Sequence, residues 1–137
     1  MRIVAVLALV GMPLCSASAV TLSTKDEAAR DSAMQWLHLI DTGHYEEAAT
    51  QASVAARTLE QWLNDIKKQR APFGQMNKRA LVDAHHTSVF PGVPDVRRYY
   101  VLRFKTSFEG KPVAIEHVTL AKVGCCWEIY EYKVSDK

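Results

Sequence analysis

The sequence predicts an α+β domain in which N-terminal helices pack on a curved four-stranded antiparallel meander sheet. Three observations lead there. Apolar residues recur at helical spacing before Gly74 and fall into short β-rich runs after Lys78. Hairpin-length connections containing Gly separate the runs. Helices that precede such a sheet must cover one of its faces.

The chain has 137 residues, a net charge of +2 and 48% hydrophobic residues. That length suits one domain, and the apolar content excludes a disordered chain. The charge is too weak to give the electrostatic footprint of a nucleic-acid binder. Residues 1–19 have the form of a secretory signal peptide: Arg2, an apolar run from Ile3 to Val10, then the small residues Ala17-Ser18-Ala19. The run is too short to span a membrane, and Pro13 interrupts it. Leu14 stands before Cys15, where a lipidation signal has Gly or Ala. Cleavage after Ala19 leaves one exported domain, residues 20–137, periplasmic or secreted, in an oxidising compartment.

The first helix is expected to start at Thr24, as N-cap of a capping box with Glu27. Its apolar stripe is Ala29, Ala33, Trp36, Leu37 and Ile40, and Asp41-Thr42-Gly43 ends it. A short second helix covers Tyr45 to Gln51, with Tyr45, Ala48 and Ala49 inward. The third opens with a capping box from Thr58 to Gln61 and sets Leu59, Trp62, Leu63 and Ile66 on one face. Lys67, Lys68 and Arg70 suit its negative C-terminal end on a solvated face, and Pro72 and Gly74 stop it.

The strands are expected over Arg79–Phe90, Arg97–Phe108, Val113–Lys122 and Cys125–Val134. A three-residue bulged turn at Gly110 and a tight Val123-Gly124 turn place Tyr100, Leu102, Phe104, Val118, Leu120, Trp127 and Ile129 on the core face. That face meets Trp36 and Trp62. The opposite face carries Tyr99, Val101, Arg103, Ile115, His117, Tyr130 and Tyr132. A one-residue slip would exchange the two sets. If Trp127 is buried, Trp127→Ala costs roughly 3–5 kcal/mol.

Several dispersed features then resemble a known family. They are Trp36-Leu37, Asp41-x-Gly43-x-Tyr45, Trp62, Arg70-x-Pro72-x-Gly74, Pro91-Gly92-x-Pro94-Asp95, Glu116 and Trp127-x-x-Tyr130. Together they resemble the domain of unknown function 4019 family of small exported bacterial proteins, over roughly residues 30 to 134. The resemblance implies a cystatin-like or nuclear-transport-factor-2-like cone and no assigned activity. Cys125-Cys126 departs from the polar residue expected before Trp127.

The candidate site residues point in different directions. His85 and His86 are neighbours and face opposite ways in a strand, and no His-x-x-x-His or Cys-x-x-Cys spacing occurs, so neither metal nor cofactor is expected. Asp41 and His44 provide the minimum for acid–base work, at what is also an ordinary helix stop. Glu116 falls on the core face, either paired with Lys133 or anchoring a small polar pocket. Cys125 and Cys126 are open to three states: free thiols, an intermolecular disulfide or a vicinal bridge.

Tyr99, Val101, His117, Tyr130 and Tyr132 form the expected contact surface, because Tyr gives area with a polar tip. The reading is a non-catalytic binding or protein-interaction domain. Its partner would be a protein, a small molecule or a second copy of the chain, with no nucleic acid and no membrane span. The alternative is a small-molecule-binding or hydrolytic cone using Asp41, His44 or Glu116.

Overall fold

Ser23 has extended backbone, and its hydroxyl accepts the Asp26 N–H at 3.4 Å and donates to Asp26 Oδ2 at 2.6 Å. This makes Ser23 the N-cap of α1 (Thr24–Asp41), one residue before the expected Thr24. Two overlapping cap patterns compete here, and the earlier one wins. The helix ends as expected. Gly43 takes φ +79°, its N–H reaches Ile40 O, and His44 N–H reaches Leu39 O. Those two bonds form a Schellman motif and satisfy carbonyls the helix would leave open.

The structure, a computed structural model, describes residues 20–52, 58–88 and 98–136. The expected signal peptide, Phe90 and the Pro91-Gly92-x-Pro94-Asp95 connection lie outside the described residues. Two further helices follow, α2 (Tyr45–Thr50) and α3 (Leu59–Arg70). The α3 capping box forms in full: Thr58 Oγ1 accepts from Gln61 N, and Gln61 Oε1 accepts from Thr58 N. Trp62 and Ile66 are buried, but Leu59 is 51% exposed and leaves the expected apolar face.

The strands are β1 (Met76–Thr87), β2 (Tyr99–Phe108), β3 (Ala114–Val123) and β4 (Cys126–Ser135). They pair antiparallel in chain order, so the α+β architecture is three helices followed by a four-strand meander. Tyr100, Leu102 and Phe104 lie directly opposite Leu120, Val118 and Glu116. The hairpin before β4 turns on Gly124 and Cys125, with Val123 opposite Cys126. This is one residue beyond the expected Val123-Gly124, because Gly124 carries the positive φ at the first turn position. The two-residue change of pairing keeps Trp127 and Ile129 on the core face.

Further along β4 the register shifts. Leu120 faces Ile129 while Thr119 faces Glu131, leaving Tyr130 as the extra residue of a β-bulge. Beyond it, every side chain changes face. Tyr132 therefore turns inward opposite Val118, against the expectation that it lies outside with Tyr130.

Gly110 is needed for a reason other than a bulged turn. It has no positive φ; a Cβ there would stand 2.7 Å from Pro72 O, while its N–H donates to Phe73 O at 2.8 Å. The β2–β3 loop is thus laid directly on the α3–β1 turn. We expect Gly110→Ala to cost about 1–3 kcal/mol, read by urea unfolding. An unchanged midpoint would refute the close contact.

The main core lies between the helices and one sheet face. Trp36 is fully buried, donates Nε1–H to Ala48 O at 3.1 Å, and meets the Trp62 ring edge-on at 5.8 Å. Its other neighbour is Tyr132, with ring centroids 5.3 Å apart. Trp127 is only half-buried at the margin of this core, so the full cost of losing a buried tryptophan belongs to Trp36. A smaller cluster of Phe73, Phe108 and Ala114 closes the end near Gly110.

The outer edge of β4 is covered. Ile129 N–H donates to Gln51 O in a parallel bridge at Ala52. Gln69 of α3 donates to Tyr132 O and accepts from Val134 N.

Candidate functional site

Asp41 closes α1, Arg70 closes α3, Arg79 sits in β1, Glu116 in β3 and Tyr132 in β4. The sheet register and the two helix ends bring these five together. Arg79 donates from Nη1 and Nη2 to Asp41 at 2.7 and 3.1 Å, and from Nε and Nη2 to Glu116 at 2.9 and 3.0 Å. One planar guanidinium thus grips two carboxylates. Arg70 Nη2 lies 2.9 Å from Asp41, and its Nη1 lies 3.7 Å from Glu116. The Arg70 guanidinium also stacks 4.6 Å above the Phe108 ring.

The network is buried and formally neutral. Glu116 has no exposure, and the Arg79 side chain has 4%. Burial opposes the Arg79 charge, but the hydrogen bonds and charges of Asp41 and Glu116 outweigh it and hold its pKa above the usual value. Arg70 behaves alike: burial opposes its charge, and Tyr132 and Asp41 outweigh it. Burial and then the Glu116 charge push the Tyr132 hydroxyl well above its ordinary pKa. It therefore stays protonated and donates to Glu116 Oε2 at 2.9 Å.

Two expectations are corrected here. Glu116 pairs with Arg79 rather than Lys133, because the bulge sets Val134 opposite Glu116 and Lys133 opposite His117. Lys133 instead meets Glu131 at 3.1 Å. Arg70 leaves the expected solvated basic cluster, drawn in by the two carboxylates. Lys67 lies 5.4 Å from the Tyr45 ring centre.

The other candidates are dispersed. His44 is exposed, and its Nδ1 is 2.7 Å from Thr42 Oγ1, so it does not join Asp41 and Glu116 in one pocket. Tyr99 is fully buried, with its ring edge-on to Tyr130 at 5.3 Å. Val101 and Tyr130 are half-buried, and His117 is exposed. Partial desolvation and the Arg103 and Lys133 charges lower the His117 pKa. With Tyr99 buried and Tyr132 on the opposite face, the five residues do not make one exposed surface. Cys125 and Cys126 are exposed free thiols.

A different site lies at the start of α1. A cavity of about 440 Å³ is lined by Ser23, Asp26, Ala28, His86, Arg98, Lys122 and Trp127. His86, Lys122 and Trp127 reach it from the core face of three strands, against the first turns of α1. His86 Nε2 lies 2.6 Å from Asp26 Oδ1, and its ring centre lies 4.5 Å from that of Tyr100, the planes tilted by 43°. The Ser23 hydroxyl holds the Asp26 carboxyl below its usual pKa; desolvation opposes this and His86 reinforces it. Lys122 Nζ sits 5.1 Å over the Trp127 ring.

Neither Arg98 nor Lys122 has a carboxylate partner among the described residues. Sequence reasoning missed this site because its residues come from four separate elements with no fixed spacing. It weighed His86 only as one of a histidine pair unsuited to a metal, and Trp127 only as core.

Three helices over a four-strand antiparallel meander, with a filled interior and an open cleft at one end, define an α+β helix-on-sheet domain. The chain belongs to the family described as "Protein of unknown function (DUF4019)", whose model matches residues 32–132. A comparison with curated proteins finds no match. Among the described residues, no helix is long and apolar enough to cross a membrane.

Proposed function

We propose that this chain is an exported, non-catalytic binding domain whose ligand site is the cleft at the start of α1. The observation that carries the reading is the placement of Arg98 and Lys122, two cations with no carboxylate partner among the described residues, beside the ring wall of His86 and Trp127; Lys122 Nζ donates to Cys125 O, at 3.3 Å. That combination suits a small organic anion with a flat apolar part. The carboxylates best placed for catalysis support the same reading. Asp41 and Glu116 are each held by guanidinium groups, and Glu116 is sealed from solvent. Neither is free to shuttle a proton. Residues 1–19, with the form of a signal peptide, support export.

Benzoate and inorganic phosphate are suitable probes, followed by Trp fluorescence and calorimetry. Benzoate is expected to bind saturably and more tightly than phosphate. Arg98→Ala should weaken it roughly tenfold, the loss of one charge-assisted hydrogen bond. No saturable binding, or binding indifferent to Arg98, would overturn the assignment. Export is checked separately: the processed protein should begin at Val20, and a product retaining Met1 would count against it.

A further inference from the structure

The β3–β4 turn brings two thiols together. Adjacent side chains in a strand diverge. Cys125, however, occupies the second turn position while Cys126 opens β4. Their Sγ atoms consequently lie 2.7 Å apart, and both residues are exposed. No cluster of three or more His, Cys, Asp or Glu among the described residues could hold a metal ion. Among the described residues the pair has no third donor with which to complete a chelate, and the short Sγ–Sγ approach favours bonding to each other. The Cys126 thiol pKa is pushed up by its hydrogen bond with Cys125 and by that group's charge.

We propose that Cys125 and Cys126 form a reversible two-electron dithiol–disulfide couple within one chain, exchanged with a glutathione-type or protein disulfide. The first thiolate attacks one sulfur of the external disulfide, forming a mixed disulfide and expelling one thiolate. The second cysteine then attacks the protein-bound sulfur, closing the Cys125–Cys126 bond and expelling the other. The external disulfide gains two electrons and the two protons the cysteines release, and it leaves as two thiols. A ring between neighbouring residues is strained, so it should reopen more readily than a long-range structural bridge.

The test uses the full chain with Cys15→Ser, which removes the third cysteine. The protein is equilibrated in reduced and oxidised glutathione mixtures, alkylated and weighed. A monomer that loses two hydrogens and both alkylation sites together, mapped to the fragment holding residues 125 and 126, is expected. Reduced glutathione should restore both sites. Cys125→Ser and Cys126→Ser should each stop at the mixed disulfide. A disulfide-linked dimer, a persistent mixed disulfide on the parent, or two free thiols at every ratio would overturn the proposal.

Discussion

Arg79→Met should lower stability by about 3–5 kcal/mol, the usual cost of breaking a buried ion pair from one side. For a domain of this size the melting temperature would fall on the order of 10–20 °C. The reason is geometric. Among the described residues, Arg79 alone makes bidentate contact with both carboxylates. Without it, Arg70 must neutralise Asp41 at 2.9 Å and Glu116 at 3.7 Å alone. The methionine keeps the stem's volume, so the loss reads charge rather than packing. Glu116→Gln removes the opposite charge and gives a second corner of a double-mutant cycle. The double variant should be less damaged than the sum of the two single changes. Additive costs, measured by urea unfolding, would refute the linkage.

Trp36→Ala should cost a similar amount, about 3–5 kcal/mol. The ring is fully buried between Trp62 and Tyr132, so its removal opens a cavity that two rigid aromatics cannot fill. It also leaves Ala48 O without its indole donor at the start of the α2 exit. Trp127→Ala is the control. That ring lines the cleft and is only partly buried, and its loss should cost clearly less than that of Trp36. The reverse order of melting temperatures would show that the core centre had been misplaced.

The order of elements and most of the core were readable from residue spacing. Trp36, Leu37, Trp62 and Ile66 declared themselves by helical period, and Tyr100, Leu102 and Phe104 by alternation. Gly43 was legible because a helix stop with positive φ favours that residue. The bulge at Tyr130 was not legible, since an extra residue leaves no mark in a strand of mixed polar and aromatic side chains. It alone moved Tyr132 from the outer face to the core. The buried network was half visible. Glu116 on an apolar face was a sign that a partner was needed, and Asp41 was already a candidate. The identity of the partners depended on register across elements 29 to 46 residues apart, which local pattern does not carry. Arg70 also satisfies the ordinary rule for a helix C-terminus, so its burial was hidden behind a sufficient local explanation. The cleft was invisible for a related reason: Asp26, His86, Arg98 and Lys122 become neighbours only after α1 is laid across the strands.

The two borders of the sheet are not equivalent. On β4, Gln51, Ala52 and Gln69 already occupy the backbone groups that another strand would need. On β1, Asn77 and Val82 stand as extra residues at two register shifts, and no described strand lies beyond it. A template whose described strands leave a single border uncapped cannot propagate on both sides. Strand-to-strand joining of two copies through β1 would leave only their capped β4 borders outward, so growth terminates at a two-fold pair and no filament can follow by this route.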